Sequence, residues 1–205
     1  MVRRNPFTTI IVTGVPGVGK TTVLNNVRAL LDERGRKYMI VNFGDYMFKV
    51  ASMRGLVKHR DELRHLPLLK QLELQEYAAE AIRLDAEKTL NGGDILFVDT
   101  HAVIRTDTGY WPGLPENVVK ALQPDSIVVI EAPPEVIVKR QQRDPTRYRA
   151  DLSRVEIVSE LLQMARIAAM ASAVHVAASV FIVENVEGDP TIAANKVVEL
   201  ATKLR

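Results

Sequence analysis

Residues 14–22 constrain this chain more than any other part of its sequence. They read Gly-Val-Pro-Gly-Val-Gly-Lys-Thr-Thr and match the phosphate-loop pattern G-x-x-x-x-G-K-[ST] at every fixed position. A β-branched run at 8–13 predicts a buried strand before the loop, and apolar residues at helical spacing in 23–31 predict a helix after it. Strand, glycine loop and helix therefore follow one another in the order that anion capture requires.

The residue types of this loop suit the binding of a polyphosphate. Gly14, Gly17 and Gly19 have no Cβ, so the backbone can turn its N–H groups inward at the start of a helix. We expect Lys20 to reach the outer phosphates and the Thr21 hydroxyl to ligate Mg²⁺. The other residues expected to contact the nucleotide are Val15, Pro16, Val18 and Thr22. The alternative, a glycine turn that only joins strand to helix, would need neither the lysine nor the threonine.

The composition describes one globular domain. The chain has 205 residues, 47% of them hydrophobic and 25% charged, which is enough to bury a core. Its net charge of +2 is too small to favour nucleic acid or a membrane as the main partner. The absence of cysteine excludes disulfides and thiolate zinc sites. The longest apolar stretch, 167–183, is shorter than the roughly 20 residues of a membrane helix. We therefore expect a cytoplasmic protein.

Alternating strand and helix patterns predict an α/β fold. Further strands are predicted at 38–43, 94–99, 126–131 and 180–183, and helices at 44–53, 63–90, 134–143, 157–176 and 190–204. Pro67 is expected to break or to begin the long helix. Parallel strands need crossover connections, so the pattern predicts a five-stranded parallel sheet with helices on both faces and a single P-loop domain at 1–205.

Two further groups of residues point to the edge of the sheet where its ligands bind. Asp99 ends the third predicted strand, where phosphate-loop NTPases carry an acid that holds Mg²⁺; a turn cap is the alternative. Arg140 and Arg143 share one face of a helix end, and Arg147 follows Pro145. Guanidinium groups that close over a transferring phosphoryl group would stabilise its charge. A solvated helix end is the other interpretation of this cluster.

Several motifs together resemble archaeal adenylate kinases over nearly the whole chain. They are the phosphate loop, Asp99-Thr100-His101, the turn Thr108-Gly109-Tyr110-Trp111-Pro112-Gly113-Leu114-Pro115, Arg60-Asp61-Glu62-Leu63-Arg64, and Arg143-Asp144-Pro145-Thr146-Arg147. The turn and the arginine segment are the most specific of these. The sequence departs from the family pattern at Arg149-Ala150-Asp151, where arginine and aspartate would be adjacent.

This resemblance implies the reversible reaction of MgATP with AMP to give MgADP and ADP, in a homotrimer. Arg140, Arg143 and Arg147 would be catalytic together with Lys20, and a short lid would span about 141–152. A region at about 44–66 would bind the monophosphate. Its predicted contacts, with surface charges as the alternative, are Gly44, Arg60, Arg64 and Arg105.

Other functions remain open at this stage, the nearest being a kinase of the same fold that acts on a different nucleoside monophosphate or on another small molecule. A kinase that phosphorylates an uncharged hydroxyl needs a general base, for which Asp45 and Asp99 are candidates. His101 is better explained as a hydrogen-bonded structural residue than as a base. An ATP-dependent assembly protein or a nucleotide-dependent switch is a further class. A GTPase switch would carry an Asn-Lys-x-Asp guanine motif, which is absent from the sequence, because Asn195-Lys196 is followed by two valines.

Overall fold

The structure is a computed structural model that describes residues 4–106, 108–143 and 154–204. Within them the strands are Thr8–Gly14 (β1), Tyr38–Asn42 (β2), Ile95–Asp99 (β3), Val103–Thr106 (β4), Gly109–Pro112 (β5), Ser126–Glu131 (β6) and Ser179–Glu184 (β7). The helices are Lys20–Glu33 (α1), Phe43–Met53 (α2), Leu68–Thr89 (α3), Glu116–Leu122 (α4), Pro134–Arg143 (α5), Val155–Val174 (α6) and Pro190–Lys203 (α7), with a 3₁₀-helix at Arg60–His65.

Five of the strands form one parallel sheet in the order β2-β3-β1-β6-β7. Successive residues of a strand face opposite sides, so β1 sends Ile10 and Val12 into a layer with α1 and α7, and Ile11 into a layer with α3 and α4. Helix α6 contributes to both layers. The predicted five-stranded parallel sheet with helices on both faces is confirmed.

The strand order places the glycine loop at a crevice in the sheet edge. The chain leaves β1 for strands on one side and later returns to pair β6 on the other, and ligands of open α/β sheets bind at such a reversal. Val12 is in register with Asp99, and Gly14 with Ile130. The carboxyl ends of three neighbouring strands therefore arrive together, as the sequence predicted.

The region between β3 and α4 differs most from the sequence prediction. The sequence indicated a turn at 108–115, but Gly109–Pro112 pairs antiparallel with Val103–Thr106 to form a separate hairpin. The hairpin returns to the sheet through Gly113, where any side chain would overlap the carbonyl oxygen of His101. Local turn signals could not show this pairing, because it depends on where the chain returns. Helix α4 was also missed.

Two other boundaries moved for clear physical reasons. The long helix predicted at 63–90 begins at Leu68, because Pro67 ends the preceding 3₁₀-helix and caps α3. Strand β2 ends at Asn42, whose side chain accepts a hydrogen bond from the N–H of Asp45 and starts α2 one residue earlier than predicted. The last strand of the sheet is an edge strand in which only Val183 is buried.

Within the described part of the chain, α6 is the one helix that is long and apolar enough to span a membrane. This criterion uses length and composition only, and core helices meet it too. Leu161, Ala165 and Ala169 of α6 pack into the two layers of the core. We therefore describe α6 as a core helix with one exposed face.

Candidate active site

The glycine loop connects the end of β1 to the first turn of α1. Gly17 and Gly19 have φ angles of 86° and 89°, which favour glycine, and the N–H of Val18 donates to the carbonyl of Val15 at 3.2 Å to close a tight turn. The side chains of Val15 and Val18 are buried and anchor the loop to the core. Among the described residues no side chain caps α1, and the N–H groups of its first turn suit the binding of an anion.

Lys20 and Asp99, predicted separately from two motifs, meet at the mouth of this loop. The Lys20 ammonium forms an ion pair with Asp99 Oδ1 and donates to the carbonyl of Thr100 at 3.0 Å. Asn42 Nδ2 donates to the other oxygen of Asp99 at 3.1 Å. Thr21 lies beside Lys20 in the first turn of α1, with its side chain exposed. The pair is largely buried, so a phosphate that binds Lys20 would compete with a strongly held carboxylate.

A second set of polar residues surrounds the end of β2. Arg60 Nη1 pairs with Asp45 Oδ1 at 2.5 Å, and Arg60 Nη2 donates to Asn42 Oδ1 at 3.0 Å. A Cβ on Gly44 would lie 2.5 Å from Arg60 Nη2, so glycine is what lets this guanidinium approach. The structure brings Gly44 and Arg60 together. Arg64 lies in the same 3₁₀-helix, but its side chain is outside the described part of the structure.

A cleft of about 680 Å³ opens between the 3₁₀-helix, the start of α3 and the hairpin. Its walls are mainly apolar, with Leu63, Leu72 and Trp111 among them, and Arg105 also lines it. A smaller cavity of about 140 Å³ shares Arg60 with this cleft and reaches Lys20. Apolar walls with a few polar groups are typical of small-molecule sites. Through this smaller cavity the cleft extends toward the phosphate loop.

The hairpin is tied to α6 beside this cleft. Burial raises the pKa of Tyr110, a hydrogen bond to Glu160 raises it further, and contact with Arg105 opposes the shift. Arg105 thus forms a polar cluster with Tyr110 and Glu160 beside the cleft. The sequence alone did not indicate that these three side chains meet.

The arginine segment is only partly described. Arg140 Nη1 donates to the carbonyl of Val18 at 2.9 Å, which places its guanidinium against the phosphate loop. Arg143 ends α5 and is exposed. Arg147, Arg149 and the rest of the predicted lid, 144–152, lie outside the described residues. Of the two predicted catalytic arginines on α5, Arg140 contacts the loop.

His101 and Glu131, both at this edge of the sheet, have structural partners. His101 Nδ1 donates to the carbonyl of Gly14 at 3.0 Å. Glu131 accepts two hydrogen bonds from Arg166, at 2.6 and 2.5 Å, and this carboxylate raises the pKa of Arg166. This bidentate pair fixes α6 to the end of β6.

Sequence reasoning missed four carboxamide side chains around the site. Asn42 could have been found as a cap before α2, and Asn185 as the polar residue that follows the fifth strand of the sheet. Gln75 lines both cavities, and its Oε1 is buried without a hydrogen-bond partner among the described residues. Gln141 gave no signal, because its partner in the loop is distant in sequence.

Known proteins match this chain over most of its length. The family model described as AAA domain matches residues 13–158. An adenylate kinase of Sulfurisphaera tokodaii is 53% identical over 92% of this chain and 96% of the relative, and one of Saccharolobus solfataricus is 51% identical over the same shares. An adenylate kinase of Methanocaldococcus jannaschii is 44% identical over 86% of this chain and 88% of the relative.

Solved structures add evidence on the fold alone. The shikimate kinase of Acinetobacter baumannii aligns with a TM-score of 0.56 at 15% identity, over 96% of this chain and 94% of that one. A sugar kinase from Janibacter aligns with a TM-score of 0.51 at 17% identity, over 97% of this chain and 98% of that one. Sequence identity over nearly the full length is what identifies the family. This chain belongs to the archaeal adenylate kinase family.

Proposed function

We propose that this chain transfers the γ-phosphoryl group of MgATP to AMP, reversibly, to give MgADP and ADP. The observation that carries the proposal is the continuity between the phosphate loop and the apolar cleft, with Lys20 at one end and Arg60 between them. The full-length similarity to archaeal adenylate kinases supports AMP as the acceptor.

In this proposal the two nucleotides meet with their phosphates at the carboxyl edge of the sheet. ATP lies with its phosphates in the glycine loop, and AMP lies in the cleft with its phosphate near Arg60 and its base among the apolar walls. A phosphate monoester loses its second proton with a pKa of about 6, so its oxygen is already anionic and no general base is needed. The residues suggested as bases are in ion pairs, Asp45 with Arg60 and Asp99 with Lys20.

The residues near the loop fit a Mg²⁺ ion carried in with the nucleotide. Thr21 and Asp99 offer hydroxyl and carboxylate oxygens, the ligands that Mg²⁺ prefers. In the described part of the chain no group of three or more histidine, cysteine or acidic side chains could hold a metal by itself. Mg²⁺ typically takes one or two protein ligands and fills its shell with phosphate and water. When bound, it would neutralise charge on the phosphates.

Lys20 and the arginines would stabilise the charge that spreads over the transferring group. Arg140 lies close enough to take part, although it would have to exchange the carbonyl of Val18 for a phosphate oxygen. We assign Arg143 and Arg147 the same role on a lid at about 141–152, and Arg64 and Arg105 to the monophosphate side.

An acceptor screen tests the function. With MgATP as donor, AMP should give rapid ADP formation, while CMP, UMP and shikimate should give little. Shikimate is included because a shikimate kinase shares the fold. Equal turnover with another acceptor would overturn the assignment.

We further propose that the protein works as a cytoplasmic homotrimer. The support is a stripe on the outer face of α6, formed by Ile167, Met170 and Val174, in which every side chain is more than half exposed. These residues recur at helical spacing, so they form one continuous apolar surface. Such a surface is expected to pack against another copy of the chain.

A further inference from the structure

We propose that Gln141 and Asn185 are positioning residues that hold the phosphate loop in its anion-binding shape. This inference rests on the proposed role of the loop as the ATP site. Gln141 Nε2 donates to the carbonyl of Pro16 at 2.7 Å, and Asn185 Nδ2 donates to the carbonyl of Val18 at 2.8 Å. Both side chains come from outside the loop motif, one from the last turn of α5 and one from the residue that follows β7.

The geometry of the peptide bond links these two hydrogen bonds to the direction in which the N–H groups of the loop point. In a trans peptide the carbonyl of one residue and the N–H of the next point in opposite directions. Pulling the Pro16 carbonyl toward Gln141 therefore turns the N–H of Gly17 the other way, toward the inside of the loop. Pulling the Val18 carbonyl toward Asn185 does the same for the N–H of Gly19. Among the described residues, neither the Gly17 N–H nor the Gly19 N–H donates to a main-chain carbonyl in a turn, loop or cap.

The glycines of the loop are fitted closely to the same two side chains. A Cβ at Gly17 would lie 2.7 Å from Cγ of Gln141, and a Cβ at Gly19 would overlap Nδ2 of Asn185. Gly17 and Gly19 are thus required by close packing as well as by their positive φ angles. The two carboxamides pack against the loop at Gly17 and Gly19. These glycines have no side chains and so leave room for them.

Stability alone does not account for the two carboxamides. Gln141 and Asn185 are 5% and 3% exposed, and their oxygens Oε1 and Oδ1 are buried without a hydrogen-bond partner among the described residues. An unpaired buried oxygen costs free energy, which offsets part of what each donor hydrogen bond contributes to stability. The loop carbonyls accept hydrogen bonds from the NH₂ group of each side chain, and not from its oxygen. Asn185 and Arg140 also share the Val18 carbonyl, so Asn185 can hold the loop when Arg140 leaves it.

Binding of a non-hydrolysable ATP analogue, measured by calorimetry on the whole protein, tests the proposal with Gln141→Met and Asn185→Leu. Each variant keeps the approximate volume and removes the donor. Loss of one such hydrogen bond should weaken analogue binding about fivefold to tenfold. The KM for ATP should rise by a similar factor, while the KM for AMP stays unchanged.

Asn5→Leu provides the matched control. Asn5 is also buried, and its Nδ2 donates to the carbonyl of Leu122 at 2.8 Å, but it precedes β1 and so lies at the opposite end of the sheet. We expect this variant to lose thermal stability and to bind the analogue as the wild type does. If the two loop variants behaved like this control, Gln141 and Asn185 would be structural only and the proposal would fail.

A crystal structure of the wild type with the analogue keeps the test decisive even if a variant does not fold. The hydrogen bonds from Gln141 to the Pro16 carbonyl and from Asn185 to the Val18 carbonyl should persist. The N–H groups of Gly17 and Gly19 should donate to phosphate oxygens. Release of the Pro16 and Val18 carbonyls in that structure would overturn the proposal. Analogue binding without phosphorylation of AMP would refute the proposed function, yet the comparison of variants would still be readable.

Discussion

At the scale of single residues, the site depends on charges that are already paired. Lys20 is held by Asp99, Asp99 also by Asn42, and Arg60 by Asp45 and Asn42. Asn42 therefore links Arg60 to Asp99 through two hydrogen bonds. A nucleotide must replace some of these contacts, and the strength of its phosphate contacts decides how well it competes.

Lys20→Met should lower turnover by about 100-fold or more, because it removes the cation that faces the charge developing in the transition state. The fold should be retained, as judged by circular dichroism. Lys120→Met is the control, since Lys120 is an exposed lysine on α4 paired with Glu116 at 2.5 Å. Retention of full turnover by Lys20→Met would show that the loop does not act on the transferring group.

Gly44→Ala separates acceptor binding from stability. The new Cβ would displace the end of the Arg60 side chain, which is flexible, so the KM for AMP should rise about tenfold while the KM for ATP changes little. Because Gly44 lies in the first turn of α2, the alanine should change the stability of the helix by less than the roughly 0.5–1 kcal/mol expected in the middle of a helix. Steady-state kinetics and thermal unfolding measure the two effects.

Gly92→Ala is the matched control for that substitution. A Cβ at Gly92 would meet nothing closer than 3.9 Å, and the residue lies outside the site. It should leave both KM values unchanged. An unchanged KM for AMP in Gly44→Ala would remove Arg60 from the acceptor site.

At the scale of elements, the sequence was informative where a pattern is local and uninformative where contacts are distant. The loop, Lys20 and Asp99 could be predicted, because spacing and position at a strand end determine them. The hairpin at β4–β5 and the contact of Gln141 with Pro16 could not, since both depend on residues brought together by the fold. Contacts between helices also depend on residues that are distant in sequence, so they could not be predicted either.

The packing of α2 against α3 offers a test by pH. Tyr46 of α2 donates to Asp85 of α3 at 3.1 Å, and burial, followed by this hydrogen bond, raises the pKa of Tyr46 to about 12 from 10.0. Between those pH values the unfolded chain loses the proton and the folded chain keeps it. Stability from this group is therefore fully present below pH 10 and is lost as the pH rises toward 12.

Tyr46→Phe should consequently show a smaller decline in Tm than the wild type between about pH 10 and 12. Thermal unfolding followed by circular dichroism at several pH values measures the difference. Identical declines in the two proteins would mean that Tyr46 is not buried against Asp85 as described.

At the scale of the whole molecule, the outer face of α6 is the feature that a single copy of the chain does not explain. Ile167→Glu places a charge in the middle of the apolar stripe and should convert the trimer to monomers in sedimentation at micromolar concentration. Leu84→Glu, at an exposed position on α3, should leave the trimer intact. A wild-type protein that sediments as a monomer would contradict the proposed assembly.

The central claim is that two nucleotides meet end to end between the glycine loop and the apolar cleft. Co-crystallisation with a bisubstrate analogue, two adenosines joined by a chain of phosphates, tests it most directly. We predict one adenosine on the loop side, the other in the cleft beside Trp111, and the phosphates between Lys20 and Arg60. A complex in which the second adenosine lies outside the cleft, with Arg60 still bound to Asp45, would contradict the account.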